Sequence, residues 1–455
     1  MCDDDLQSND DILQCVRMWI VVNPLPTFLE QSSMLNSESV QDLSFGKAIL
    51  SYIIVALFLF FEMGVQVSPS VMTNELMRDL HIGVLGLGLM SGFYFYTYTL
   101  MQIPSGMLFD RYRPRYVITL SIMICSLGCL AFGAATNIYL GSLARMLMGF
   151  GSAFAFVAVL VVTADLFSAR YFALITGITQ MLAALGAMSG QMPLSFAVER
   201  FGWRQTMILL ALIGFMLAVV VWLVLNYKKE VFSVASTKRK TVEYRFRHIL
   251  LNKQSWIIAL YACFLWAPMS GFASLWGVPF LLQVYHLSHA NAALVCSMMW
   301  FGLAAASPIL GWLSTAYRAR VWPLAISSLI GAIFFAILLA FHFNALYLLM
   351  IIVFLCGAAC AGQALSFTVV KEINSPQQRG AAIAFNNMAV VISGAIFQPL
   401  LGRLLEFHCE VGNAMLTQCE NVHFRMSMLL ILAVYGVGFL LATFFIKESF
   451  KQCNH

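Results

Sequence analysis

Twelve long apolar runs, separated by short stretches that hold nearly all of the charge, constrain this chain more than any other feature of it. A bilayer core of about 30 Å takes roughly 20 residues of helix, and a segment dissolved in lipid must satisfy its own backbone hydrogen bonds, which a helix does. The runs predict helices over 46–71, 84–109, 116–135, 138–163, 172–196 and 204–226. Six more follow over 255–282, 291–316, 321–341, 346–370, 380–402 and 426–446. Only 10% of the 455 residues are charged, against about 25% in a water-soluble domain, so that class is excluded. The 26 Lys and Arg are dispersed between apolar blocks, which excludes a nucleic-acid groove.

The expected organisation is an acidic N-terminal tail (1–45), a six-helix bundle (46–226), a basic linker (227–254), a second six-helix bundle (255–446) and a short tail (447–455). Asp3, Asp4 and Asp5 stand where a secretory signal needs positive charge, so the chain is expected to insert by its own helices. With both termini placed in the cytoplasm, twenty bases fall inside and only Arg78, Arg200, Arg204, Arg403 and Arg425 outside. This sidedness predicts a multi-pass protein of a bacterial inner membrane, read as a monomer in the lipid bilayer.

The halves repeat one another. After the second run stands Gly106-Met107-Leu108-Phe109-Asp110-Arg111-Tyr112-Arg113-Pro114-Arg115, and after the eighth Gly311-Trp312-Leu313-Ser314-Thr315-Ala316-Tyr317-Arg318-Ala319-Arg320. Gly, Leu, Tyr, Arg and Arg recur 205 residues apart. Anchoring of basic loops inside would explain the bases but not the matched Gly and Leu. Duplication of a six-helix unit is what a carrier built from two rocking bundles around a central site requires.

On these residues the chain resembles the major facilitator superfamily. Residues 106–115 are similar to its loop motif, with Arg113 where Gly is usual. Further resemblances are the degenerate second copy, Arg145-Met146-Leu147-Met148-Gly149 on helix four, and Gly202-Trp203-Arg204 before helix six. The resemblance covers 46–446 and implies an all-α membrane fold of twelve helices in two pseudo-symmetric six-helix bundles. It also implies that the first loop latches the cytoplasmic side, with Gly106 allowing close helix approach, Asp110 at a helix end, and Arg111, Arg115 and Asp165 as charged partners. The run from Phe61-Glu62 to Val67-Ser68-Pro69-Ser70, followed by a Tyr-rich helix two, looks similar to bacterial carriers of this superfamily related to lysosomal dipeptide carriers.

Two ionisable residues fall well inside the runs, Glu62 on helix one and Arg145 on helix four. A charge there costs at least about 2.5–3.5 kcal/mol, so each should face a cavity or the other. Counted at 1.5 Å per residue, Glu62 lies about 22 Å from the inner edge and Arg145 about 10 Å from the outer one. That places them at similar depth. They are expected to bracket a substrate site suited to the ends of a zwitterion, the alternative being a permanent structural ion pair. Glu62 is also the candidate for proton coupling, with a proton as co-substrate. Tyr94, Tyr96, Tyr98, Gln180, Gln191, Trp266, Trp276, Trp300, Gln363, Asn386 and Asn387 are further candidates for the cavity, each with helix packing as its alternative.

Cys125 with Cys129, and Cys356 with Cys360, sit four apart on apolar helices and read as packing residues, whereas Cys409 and Cys419 share a predicted outer loop where a disulfide can form. There is no Gly-x-x-x-x-Gly-Lys phosphate loop, no metal-spaced cluster and no convergent catalytic set, so neither a metal, a cofactor nor an enzyme activity is expected. The function expected is transport of a small-molecule substrate by alternating access, first a zwitterion such as an amino acid or dipeptide. Export of organic anions or drug-like amphiphiles is the second reading, and a membrane sensor or receptor the third.

Overall fold

The computed structural model describes residues 45–167, 169–225, 249–375, 379–409 and 419–450. The acidic tail before Phe45 and most of the basic linker lie outside the described residues. The spans are α1 (Phe45–Val71), α2 (Val84–Arg111), α3 (Pro114–Gly133), α4 (Ile138–Thr163), α5 (Ile178–Phe201) and α6 (Trp203–Val224). They continue with α7 (Lys253–Tyr285), α8 (His289–Ala316), α9 (Val321–Ala340), α10 (Leu346–Glu372), α11 (Ala381–Cys409) and α12 (Asn421–Phe445). Eleven are long and apolar enough to cross a membrane, and α2 makes the twelfth together with the short helix Thr73–Asp79, from which it turns by 109°. No strand occurs among the described residues.

Helix ends follow local chemistry. The side chain of Asn137 accepts from Leu140 N at 2.9 Å to open α4, and that of Asn252 accepts from Gln254 N at 3.0 Å to open α7. Such a cap contributes about 1 kcal/mol by satisfying a backbone donor the helix cannot. Pro114 opens α3, where its missing N–H costs nothing. Gly202, at φ 78°, makes the turn between α5 and α6 that a side chain would strain.

The described residues from Leu50 onward form one compact unit, while residues 45–49 only begin α1. Within that unit α2 packs on α4 and α3 on α6, and the second half repeats the scheme with α8 on α10 and α9 on α12. Contacts between halves run through α2 against α11 and α5 against α8. The extremes of burial are α7, with 78% of its most apolar window inside the protein, and α6, with 28%. The first therefore belongs to the centre and the second presents its side chains to lipid. Cys409 and Cys419 are joined by a disulfide.

Candidate functional site

A cavity of about 110 Å³, room for several water molecules, lies between the halves and is lined by α1, α2, α4, α5, α7, α8, α10 and α11. Its polar and indole-bearing lining is Gln66, Tyr98, Gln180, Trp266, Trp300, Ser307, Gln363 and Asn387, set among Leu59, Met63, Phe95, Phe156, Leu303, Phe367, Val390 and Val391. No Asp, Glu, Lys, Arg or His belongs to the described lining. The Trp266 and Trp300 rings meet edge to face at 6.1 Å, and the Trp300 N–H has no hydrogen-bond partner among the described residues. Asn387 Nδ2 donates to Gln102 Oε1 at 2.7 Å and so ties α11 to α2 beside the cavity.

Of the residues expected at the site, Tyr98, Gln180, Gln363 and Asn387 line this cavity, as do Trp266 and Trp300. Glu62, Arg145 and Tyr94 do not: all three are fully buried behind the wall. Glu62 and Arg145 do not pair directly. Tyr94 stands between them, donating its hydroxyl to Glu62 Oε1 at 2.7 Å while its ring lies 4.6 Å below the Arg145 guanidinium. Arg145 donates from Nη1 to Val65 O at 3.2 Å and from Nη2 to Gln66 O at 3.3 Å. It binds the end of α1 through carbonyls rather than through the carboxylate. Glu62 Oε2 and Arg145 Nε have no hydrogen-bond partner among the described residues. The cluster reaches the cavity wall through Gln66, through Tyr98, whose ring is 5.9 Å from that of Tyr94, and through Phe95, whose ring is 5.2 Å from it.

Close packing makes this arrangement possible. A Cβ added at Gly149 would collide with Tyr94 O, so α4 approaches α2 as nearly as backbones allow. Thr97 Oγ1 donates to Met146 O at 2.9 Å along the same seam.

Trp276 and Asn386 sit elsewhere than expected. Trp276 is fully buried, its Nε1 donating to Gln398 O at 3.0 Å within the second half; a Cβ at Gly402 would meet both its ring, at 3.2 Å, and Val84 O of α2, at 3.0 Å, so it belongs to the seal where the halves meet rather than to the cavity. Asn386 turns into its own half and donates to Ser366 Oγ at 2.8 Å. Adjacent amides on a helix point about 100° apart, so only Asn387 reaches the cavity. Gln66, one turn beyond Glu62 on α1, and Ser307 were missed. The signal for Gln66 was its place on the helix that carries Glu62.

The basic-loop face differs from the expected latch at Gly106, where no described atom comes within 4 Å of an added Cβ; the same holds at Gly311. The tight glycine contacts of α2 lie toward its other end. A Cβ at Gly88 would meet Gln398 O at 2.7 Å and one at Gly92 would meet Pro399 Cγ at 3.2 Å, both on α11. Arg115 stacks on Trp222 at 4.0 Å, and its counterpart Arg320 stacks on Phe450 at 4.8 Å while pairing with Glu372 at 2.8 Å. Arg111 is exposed and Asp165 half-buried; the side chain of Asp110 lies outside the described residues. The two loops also differ in backbone. Arg318 takes the left-handed conformation, φ 50°, whereas Arg113 is extended at φ −64°, ψ 135°, because Pro114 follows it and excludes helical geometry.

Two six-helix halves joined across a central, uncharged cavity define a polytopic membrane carrier. The family model of the Major Facilitator Superfamily matches residues 52–293 and 267–452, and the chain belongs to that family. It is 28% identical over 157 residues to the uncharacterized transporter YybO of Bacillus subtilis, a match spanning 34% of this chain and 36% of that protein. Among solved structures, a bacterial homolog of the human lysosomal transporter Spinster, inward-facing and unoccupied, superposes with a TM-score of 0.75 at 17% identity, over 88% of this chain and 97% of the other. A variant of the nucleoside transporter NupG gives 0.72 at 14%, over 88% and 100%. At these identities the structural likeness concerns the fold.

Proposed function

We propose that this carrier moves a small solute of no net charge and amphiphilic character by alternating access, with Glu62 as the group that takes up and releases a proton. The observation that carries the choice of cargo is the lining. Amides, a phenol and two indoles offer hydrogen bonds and flat apolar surface, while a net charge entering the cavity would meet no opposite charge among the described lining residues. The expectation of a zwitterion rests on Glu62 and Arg145, and neither is in the wall. An amino acid or dipeptide is kept as the second reading because Arg145 is only one residue removed, bonded to the backbone of cavity-lining Gln66. Coupling through Glu62 is supported by its full burial, its unpartnered Oε2 and its link to the cavity through Tyr94 and Tyr98.

The same reading has both termini cytoplasmic in a bacterial inner membrane, which the segregation of bases supports. The Cys409–Cys419 disulfide on the opposite loops fits an oxidising outer side. Asp110, Arg111, Arg115 and Asp165 are proposed to close the cytoplasmic side in the alternate state.

A thermal-shift panel of neutral amphiphiles, amino acids, dipeptides, sugars and organic anions on purified protein tests the cargo. Stabilisation by neutral amphiphiles, lost in Gln363→Ala, is expected. Stabilisation confined to organic anions or to zwitterions contradicts it.

A further inference from the structure

The seal between the halves is built around one irregular stretch. Pro268–Trp276 of α7 is π-helical. Pro268 has no N–H to give the preceding turn, and the wider winding moves carbonyls off the regular ladder. Two of these carbonyls accept from side-chain amides: Ser270 O from Gln398 Nε2 at 2.8 Å, and Ala273 O from Gln191 Nε2 at 2.6 Å. The first bond stays within the second half. The bond from Gln191 crosses from one half to the other.

Gln191 occupies a break in α5, between a helix ending at Ser189 and one starting at Met192, with φ −112° and ψ −89°. The break is held from behind, because a Cβ on Gly190 would collide with Gly64 O and Val67 of α1. Besides the carbonyl, Gln191 Nε2 lies 3.3 Å from Cys296 Sγ on α8. Both side chains are fully buried, and Gln191 Oε1 has no hydrogen-bond partner among the described residues. An irregularity in each half thus faces the other, and a single amide joins them. Nothing in the cavity requires this bond, since Gln191 is not in its lining.

We propose that Gln191 is the pin of the gate on this face. Its amide holds the π-helical stretch of α7 against the first half, and its release lets the halves part here during transport. The proposal rests on the carrier reading and is independent of the cargo.

Cys296, buried beside the pin, is the reporter. Full-length protein in lipid nanodiscs is treated with a polar maleimide, and modification of individual cysteines is followed by peptide mass spectrometry. Gln191→Leu and Gln191→Met both remove the donor without adding charge, the second keeping nearly the same length of side chain. Both are expected to raise the Cys296 labelling rate about twofold to tenfold, the factor that corresponds to one buried hydrogen bond. Gly88→Leu wedges α2 away from Gln398 on the same face and is expected to raise labelling with Gln191 intact. Cys356, buried within the second half, should stay unlabelled throughout. Wild-type labelling in both Gln191 variants, with faster labelling in Gly88→Leu, overturns the role of Gln191. No rise in any variant overturns the reading of this face as a gate. Parallel labelling of Cys356 means general loosening and also overturns the pin.

Discussion

Tyr94 holds together two groups that a lipid environment would otherwise expel. Its hydroxyl supplies the one side-chain hydrogen bond that Glu62 receives among the described residues, and its ring supports Arg145. Tyr94→Phe keeps the ring and removes the donor, leaving a buried acceptor unmet at a cost of roughly 1–3 kcal/mol. A lower melting temperature in Tyr94→Phe is expected, partly recovered when Glu62→Gln is added; additive losses in this double-mutant cycle would show that the two side chains are not coupled. Arg145→Lys is not conservative, because a point charge cannot bridge the carbonyls of Val65 and Gln66 while lying flat on a ring. Reduced melting temperature and reduced uptake are expected, and a wild-type result in both assays would remove Arg145 from the account. The two ionisable residues were legible in the sequence because charge is rare in the spans. Their direction was not, since depth along a helix does not give rotation about it. The intervening Tyr94 was one candidate among many aromatics.

At the scale of elements, the repeated loops show how much a matched motif conveys. Arg115 and Arg320 lie at matching positions, and each stacks on an aromatic ring at the end of its own half, Trp222 in the last turns of α6 and Phe450 just after α12. That equivalence was visible at a spacing of 205 residues. The aromatic partners were not, because Trp222 and Phe450 lie outside the motif. The second loop has an additional clasp in Glu448, whose carboxylate accepts from the backbone N–H of Arg320 and Val321 at the start of α9 and of Ser449 and Phe450 in the tail. Partial burial pushes this carboxyl up, but the backbone donors outweigh it and hold it below the usual carboxylate range. A carboxyl depressed by folding stabilises the protein above its unfolded value, and the contribution is lost as pH falls through the lower folded value. Glu448→Gln should therefore melt below wild type at neutral pH, with the difference closing as pH drops below about 4. A difference independent of pH would assign the effect to packing instead. Glycine in α2 carries the opposite lesson: Gly106 drew attention through the motif, yet the close approach occurs at Gly88 and Gly92, against a partner helix some 300 residues away in sequence.

For the whole molecule, span number followed from composition and charge, which are sums over many residues and tolerate local error, and duplication followed from one loop motif repeated 205 residues apart. The cavity did not follow in the same way. It is a surface between halves, and its wall is made of Gln, Asn, Tyr and Trp that occur elsewhere in the spans as packing residues. Which of them face it depends on how the halves meet. The account requires the cavity to be the route of the solute and Glu62 to link that route to protons. The decisive measurement is flux of a thermal-shift hit into proteoliposomes holding wild type, Gln363→Ala or Glu62→Gln, with and without an imposed pH gradient. Saturable uptake by wild type that is accelerated by the gradient is expected, with a raised KM in Gln363→Ala and no response to the gradient in Glu62→Gln. A hit that binds without crossing the membrane, or flux that both substitutions leave untouched, would contradict the account.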